Sequence, residues 1–155
     1  MSVETLAKLL IDQQLTLSVA ESCTGGGLSS VLTSISGASN YFDRGYITYS
    51  NQAKIDMLQV KPNTLKQLGA VSEQTAKEMA SGVIQSSGSE ISASVTGIAG
   101  PTGGTTDKPV GMVCFGFCVR SRCFEKTQYF DGDRDAVVNA SISFVISTLI
   151  DELSA

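Results

Sequence analysis

The chain has 155 residues, which suits one domain, since domains commonly run to about 100–200 residues. Apolar residues make up 42% and charged residues 17%, against ~25% charged in an average chain, so intrinsic disorder is excluded and a real core can form. A formal net charge of −4 argues against a general grip on nucleic acid, which needs clustered Lys and Arg. The chain has no histidine; a Ser-His-Asp triad, a Cys-His dyad and a His-ligated zinc are all excluded within it, and acid–base work falls to Asp, Glu, Lys, Tyr or Cys.

In chain order, Val3–Gln14 reads as a helix with Val3, Leu6, Leu9 and Leu10 on one face. Leu15–Ala20 reads as a buried strand. Past a glycine-rich turn, Leu28, Val31, Leu32 and Ile35 repeat at helical spacing until Gly37 stops them. Arg44–Ser50 is expected as a strand and Asn51 to Leu58 as a short helix, with Pro62 interrupting the pattern. Ser72 looks like an N-cap, with Glu73 in the first turn; Ala76, Met79, Ala80, Val83 and Ile84 form the core face of the helix that follows. Ile91–Val95 is a strand, and residues 96–110 form a Gly/Pro-rich loop. Gly111–Val119 and Cys123–Phe130 flank Arg120-Ser121-Arg122 as a hairpin. Asp131-Gly132-Asp133 starts a last helix with a stripe of Val137, Val138, Ser141, Val145 and Leu149. Strands alternating with helices predict a three-layer α/β/α sandwich, and the hairpin makes its mostly parallel sheet a mixed one.

The N-terminal residues lack the basic stretch, apolar block and cleavage site of a signal peptide. The most apolar stretches, Met112–Val119 and Ile142–Ile150, fall short of the ~18–20 residues that span a bilayer. A cytoplasmic location is expected, and with it four reduced thiols at Cys23, Cys114, Cys118 and Cys123. Their spacing matches no common zinc pattern.

Four segments carry chemistry. The turn Glu21-Ser22-Cys23-Thr24-Gly25-Gly26-Gly27 joins a strand to a helix, where free N–H groups can hold a phosphate or an oxyanion; capping and tight packing would explain it equally. In Tyr49-Ser50-Asn51-Gln52-Ala53-Lys54, the lysine lies one turn into a helix and could reach back to the strand end. A desolvated lysine can act as a base, although most lysines are solvated. The third is the loop from Thr96 through Gly97, Gly100 and Gly103 to Thr105; it is long for a mere connection. In the fourth, Asp131-Gly132-Asp133-Arg134-Asp135, Arg134 could pair with a carboxylate or phosphate or simply neutralise the three neighbouring aspartates.

Taken together, AESCTGG, YFDRGYITYSNQAK, GAVSE, VTGIAGPTGG, KPVG and GDRDAV resemble the CinA C-terminal domain family in order, from about residue 18 to residue 138. The resemblance implies an α/β/α fold with a mixed sheet and a nicotinamide-nucleotide amidase that uses no metal or cofactor. It also implies a homodimer or higher homo-oligomer, with a small nucleotide substrate and neither nucleic acid nor membrane as partner. Longer members carry an additional N-terminal domain, so this chain is expected to act alone as one domain, residues 1–155. By motif, Ser22 matches the family's nucleophile, and Tyr49 and Lys54 match its activating partners.

An amide hydrolase needs a nucleophile, a proton acceptor and oxyanion donors. Ser22, neutral Lys54 (directly or with Tyr49) and N–H groups near Thr24 and Gly25 are expected in these roles, with Gly26 in the same turn. The Thr96–Thr105 loop with Arg134 or Arg44 is expected to hold the phosphate. Tyr41, Phe42 or Tyr46 could pack on the pyridinium ring, Glu21 could stabilise its charge, and Asn51 belongs to the same binding segment. Cys23 competes with Ser22 for the nucleophile's role. The rival function is a non-catalytic nucleotide-binding or regulatory module linked to competence or DNA damage.

Overall fold

The computed structural model describes residues 2–155. Five strands form one sheet: β1 (Leu17–Glu21), β2 (Phe42–Ile47), β3 (Ile91–Gly97), β4 (Met112–Val119) and β5 (Arg122–Tyr129), in the order β2-β1-β3-β4-β5. The β2–β1 and β1–β3 pairs are parallel and the β3–β4 and β4–β5 pairs antiparallel. Only β4 therefore opposes the others, and the sheet is mixed but mostly parallel in direction.

Among the described residues the six α-helices are α1 (Val3–Asp12), α2 (Gly27–Leu32), α3 (Asn51–Leu58), α4 (Pro62–Leu68), α5 (Glu73–Ser87) and α6 (Arg134–Ser154), with a short 3-10 helix at Ala38–Asn40. Alternation along the strands sorts them into two layers. Leu17, Val19, Ile91, Ala93, Val95, Phe115 and Phe117 face a core shared with α1, α2 and α6. The opposite face, covered by α5 with α3 and α4 beside it, carries small polar residues instead. Ser92 and Ser94 donate to the α5 carbonyls of Ala80 (2.8 Å) and Ala76 (2.6 Å). A Cβ on Gly116 would stand 2.1 Å from the Ala76 carbonyl oxygen, so the helix rests directly on the sheet backbone.

The helix α4 was not expected. Pro62 starts it rather than interrupting it, because proline suits the first helical turn. Its cap comes from far along the chain: Glu78 on α5 accepts from the Lys61 N–H and the Thr64 hydroxyl. Helix α2 ends at Leu32, one turn before the periodicity does, and β2 closes at Ile47 rather than Ser50 because Ser50 caps α3. The last helix, 21 residues long, is long and apolar enough to cross a membrane by length and composition, contrary to the shorter apolar stretch read from the sequence. Val137, Ser141, Val145 and Leu149 are nevertheless wholly buried in the protein's own core.

The expectation of four reduced cysteines is corrected. Cys118 and Cys123 face each other across the β4–β5 hairpin with Cα atoms 4.1 Å apart and are joined as a disulfide; Cys23 and Cys114 are free and buried. The hairpin turn holds Arg120 and Ser121 at φ +51° and +69°, a left-handed pair that costs an L residue about 1 kcal/mol or more. Ser121→Gly should therefore raise stability by about 1 kcal/mol, read as a rise in Tm of a few degrees; an unchanged or lower Tm would contradict the strain.

Candidate active site

Strand β1, second in the sheet between β2 and β3, delivers its C-terminal end to one edge of the sheet. The Ser22 N–H continues the ladder to Val95 O (2.9 Å), and the chain then doubles back through Gly25 N–H to Ser22 O (3.1 Å) and Gly27 N–H to Thr24 O (2.9 Å). Gly25 and Gly26 take φ of +56° and +105°, a conformation that glycine adopts without Cβ strain. Successive side chains of an extended strand point to opposite faces: Glu21 goes to the α2 side and Ser22 to the α3 side.

From that second side comes Lys54, fourth residue of α3. Ser50 caps the helix by accepting from the Ala53 N–H (3.0 Å). This places Lys54 one turn in, with its side chain wholly buried. Its Nζ lies 2.9 Å from Ser22 Oγ, 2.7 Å from Thr48 O and 3.5 Å from Tyr49 O. Burial pushes the amine down to about 8, slightly opposed by the nearby Cys23. No carboxylate pairs with it among the described residues. The amine donates to all three oxygens; once neutral it keeps two N–H donors and gains a lone pair, which the Ser22 hydroxyl can then meet. Thr48 Oγ1, on the residue whose carbonyl holds the amine, is buried without a hydrogen-bond partner.

Ser22 borders a cleft of about 260 Å³. Its walls include Cys23, Tyr49, Thr96, Gly97, Ile98, Gly100, Gly103 and Arg134, closed by Ala70 and Val71 from the loop before α5. Thr96 Oγ1 donates to Ala70 O (2.8 Å), so its hydroxyl fastens the wall. Arg134 is the N-terminal residue of α6, behind the Asp133 cap. Its guanidinium donates to Gly100 O (2.8 Å) and to the Tyr49 hydroxyl (3.1 Å), bridging the two sides of the cleft. The Tyr49 ring is mostly exposed at that rim. Its hydroxyl meets Arg134, while its main-chain carbonyl is the part that faces Lys54.

Several expected residues lie elsewhere. Arg44 is on the exposed edge strand β2, paired with Asp43. Asn51 is exposed at the start of α3, and Tyr46 is half-buried against a smaller apolar cluster of Leu58, Leu65, Met79 and Val83 on the α5 side of the sheet. Tyr41 is buried in the main core, its hydroxyl on Leu32 O, and Phe42 packs against that core. Thr24 and Gly26 are bound to the Glu21 carboxylate, and the Gly25 amide, expected to face an oxyanion, is spent on Ser22 O. The Cys23 and Thr24 amides donate to no oxygen among the described residues. Cys23 is pushed up to about 11, chiefly by burial, which keeps it a thiol at neutral pH. Among the described residues no group of three or more Asp, Glu or Cys side chains could hold a metal ion.

Comparison with known proteins yields a family and several relatives. The family model described as CinA C-terminal domain matches residues 2–153. The nicotinamide-nucleotide amidohydrolase PncC of Enterobacter agglomerans is 49% identical over 134 residues, covering 86% of this chain and 82% of that protein. A CinA-like protein of Kosmotoga olearia is 48% identical, with 92% of this chain matching 35% of the other. The chain thus spans about a third of the length of most of the curated relatives it matches. The crystal structure of a competence-damaged protein (CinA) superfamily member from Klebsiella pneumoniae superposes with a TM-score of 0.95 at 35% identity, over 98% of this chain and 95% of that one.

Proposed function

The chain belongs to the CinA C-terminal domain family, and on that premise we propose that it is an amidase converting nicotinamide mononucleotide to nicotinate mononucleotide and ammonia. The observation that carries the reading is the buried Lys54 amine 2.9 Å from the Ser22 hydroxyl, with no imidazole in the chain. The relative named as a nicotinamide-nucleotide amidohydrolase supports the choice of substrate.

Ser22 Oγ attacks the carboxamide carbon as its proton passes to the Lys54 lone pair. The carbonyl oxygen becomes an oxyanion facing the Cys23 and Thr24 amides, where one well-placed donor contributes ~3–4 kcal/mol. Lys54, now an ammonium held by Thr48 O and Tyr49 O, passes its proton to the leaving nitrogen, and ammonia departs from an acyl-Ser22 ester. Water then attacks the ester as Lys54 takes one of its protons. Collapse returns that proton to Ser22 Oγ and frees the carboxylic acid, which loses its remaining proton to solvent.

The phosphate lies at the other end of the cleft. Arg134 is the cation on its wall. The Ala99, Gly100, Thr102 and Gly103 amides beside it donate to no carbonyl or side chain among the described residues. Tyr49 holds the guanidinium in place until the phosphate takes it over.

The purified protein incubated with nicotinamide mononucleotide should release ammonia and nicotinate mononucleotide in equal amounts. Arg134→Ala should raise KM at least ~10-fold while kcat stays within a few-fold, because a charge-assisted phosphate contact contributes to ground state and transition state alike. Tight binding of nicotinamide mononucleotide without ammonia release would overturn the reading in favour of a ligand-holding module.

A further inference from the structure

The residue beside the nucleophile has a carboxylate with an unusual set of partners. Glu21 is wholly buried. Its Oε1 accepts from Thr24 Oγ1 (2.6 Å), Gly26 N–H (3.2 Å) and Leu28 N–H (2.8 Å), and its Oε2 from Ser29 N–H (2.9 Å) and Ser29 Oγ (2.7 Å). Helix α2 needs such a partner. Its N-cap, Gly26, is left-handed and has no side chain to cap with, and the first N–H groups of a helix have no partner within it. The carboxylate that answers them comes from the strand before the turn.

We propose that Glu21 is a positioning residue for the reaction at Ser22: by gathering the Gly26, Leu28 and Ser29 amides it fixes the path of the turn and leaves the Cys23 and Thr24 amides aimed at the oxyanion. The inference rests on the amidase reading and adds to it a residue that never meets the substrate. The adjacency in sequence is the device. Because Glu21 and Ser22 point to opposite faces of β1, the clamp and the nucleophile share one rigid segment without competing for space. Five donors converge on the carboxylate, so none of these groups is free to bend the turn toward the cleft, and a shift of about 1 Å in a reacting group costs on the order of 100-fold in rate.

The test compares Glu21→Gln and Ser29→Ala with the native protein. Glutamine keeps the volume but brings an NH2 group among donors, breaking one arm of the clamp; Ser29→Ala removes a single donor and serves if Glu21→Gln does not fold. Glu21→Gln should lower kcat for nicotinamide mononucleotide about 100-fold and Ser29→Ala several-fold. KM and the Kd for nicotinate mononucleotide, the product used as an unreactive probe, should stay within about threefold. Hydrogen exchange at residues 26–29 should accelerate in both variants, while exchange in β3 stays as it was. Native kcat in Glu21→Gln would overturn the proposal, as would a loss of kcat matched by an equal loss of product affinity. Exchange needs no turnover. Should the native protein release no ammonia, the amidase reading fails separately, and unchanged exchange at 26–29 still overturns the clamp.

Discussion

Replacing Ser22 by alanine is expected to lower kcat at least ~10⁴-fold, the order of loss seen when a nucleophile is removed from a unit that works together, while binding of nicotinate mononucleotide stays within a few-fold. The size of the effect depends on whether Cys23 can take over, and the structure gives two reasons why it cannot. The Lys54 amine lies 2.9 Å from Ser22 Oγ and also meets two carbonyls, and it makes no hydrogen bond to the Cys23 thiol among the described residues. The thiol, pushed up to about 11 by burial, has about three parts in ten thousand as thiolate at pH 7.5. Steady-state ammonia release from Ser22→Ala, with product binding by calorimetry as the control, measures the difference. Turnover within tenfold of native would return the nucleophile's role to Cys23.

Much of this site could be read from the chain because its parts are local. Starting α3 near Asn51 is enough to put Lys54 one turn in, able to reach back toward the strand end; that Ser50 caps the helix instead of ending the strand is visible only in the structure. The strand–glycine–helix turn is likewise a local object, as is the core stripe of α5. What escaped the sequence involves partners far along the chain. The cap of α4 comes from Glu78, at least 14 residues away. The 2.9 Å contact between Lys54 and Ser22 depends on β2 lying parallel to β1, a pairing that no window of sequence contains. Residue type misled in two places. Glu21 in a binding turn suggests charge offered to a ligand, whereas its neighbours' orphan amides claim it first. Tyr41 suggests a ring free to stack, whereas its hydroxyl reaches Leu32 O and the ring fills the core. Two opposed cysteines likewise look like ordinary strand residues until the register of the hairpin is known.

If Lys54 is the base proposed above, it ties catalysis to stability, and its titration can be followed in both. The group's ordinary value of 10.5 falls to about 8 in the folded protein because burial disfavours the ammonium. As a base it works only when neutral. kcat/KM should therefore rise tenfold per pH unit below about pH 7, bend near pH 8 and level off above it. Lys54→Met should lose at least ~10³-fold and show no such rise. The same shift governs folding. Between pH 8 and 10.5 the unfolded chain binds the proton that the folded chain has lost, so stability grows with pH across that window. Below pH 8 both states are protonated and the native protein carries the full cost of a buried ammonium, about 3 kcal/mol. Stability measured by denaturant unfolding should thus improve for the native protein relative to Lys54→Met by up to ~3 kcal/mol between pH 8 and 10.5, and the gap should be flat below pH 7. A lysine that titrates normally would give neither the bend in rate near pH 8 nor the slope in stability, and the amine beside Ser22 would then be a charge that holds a ligand rather than a base.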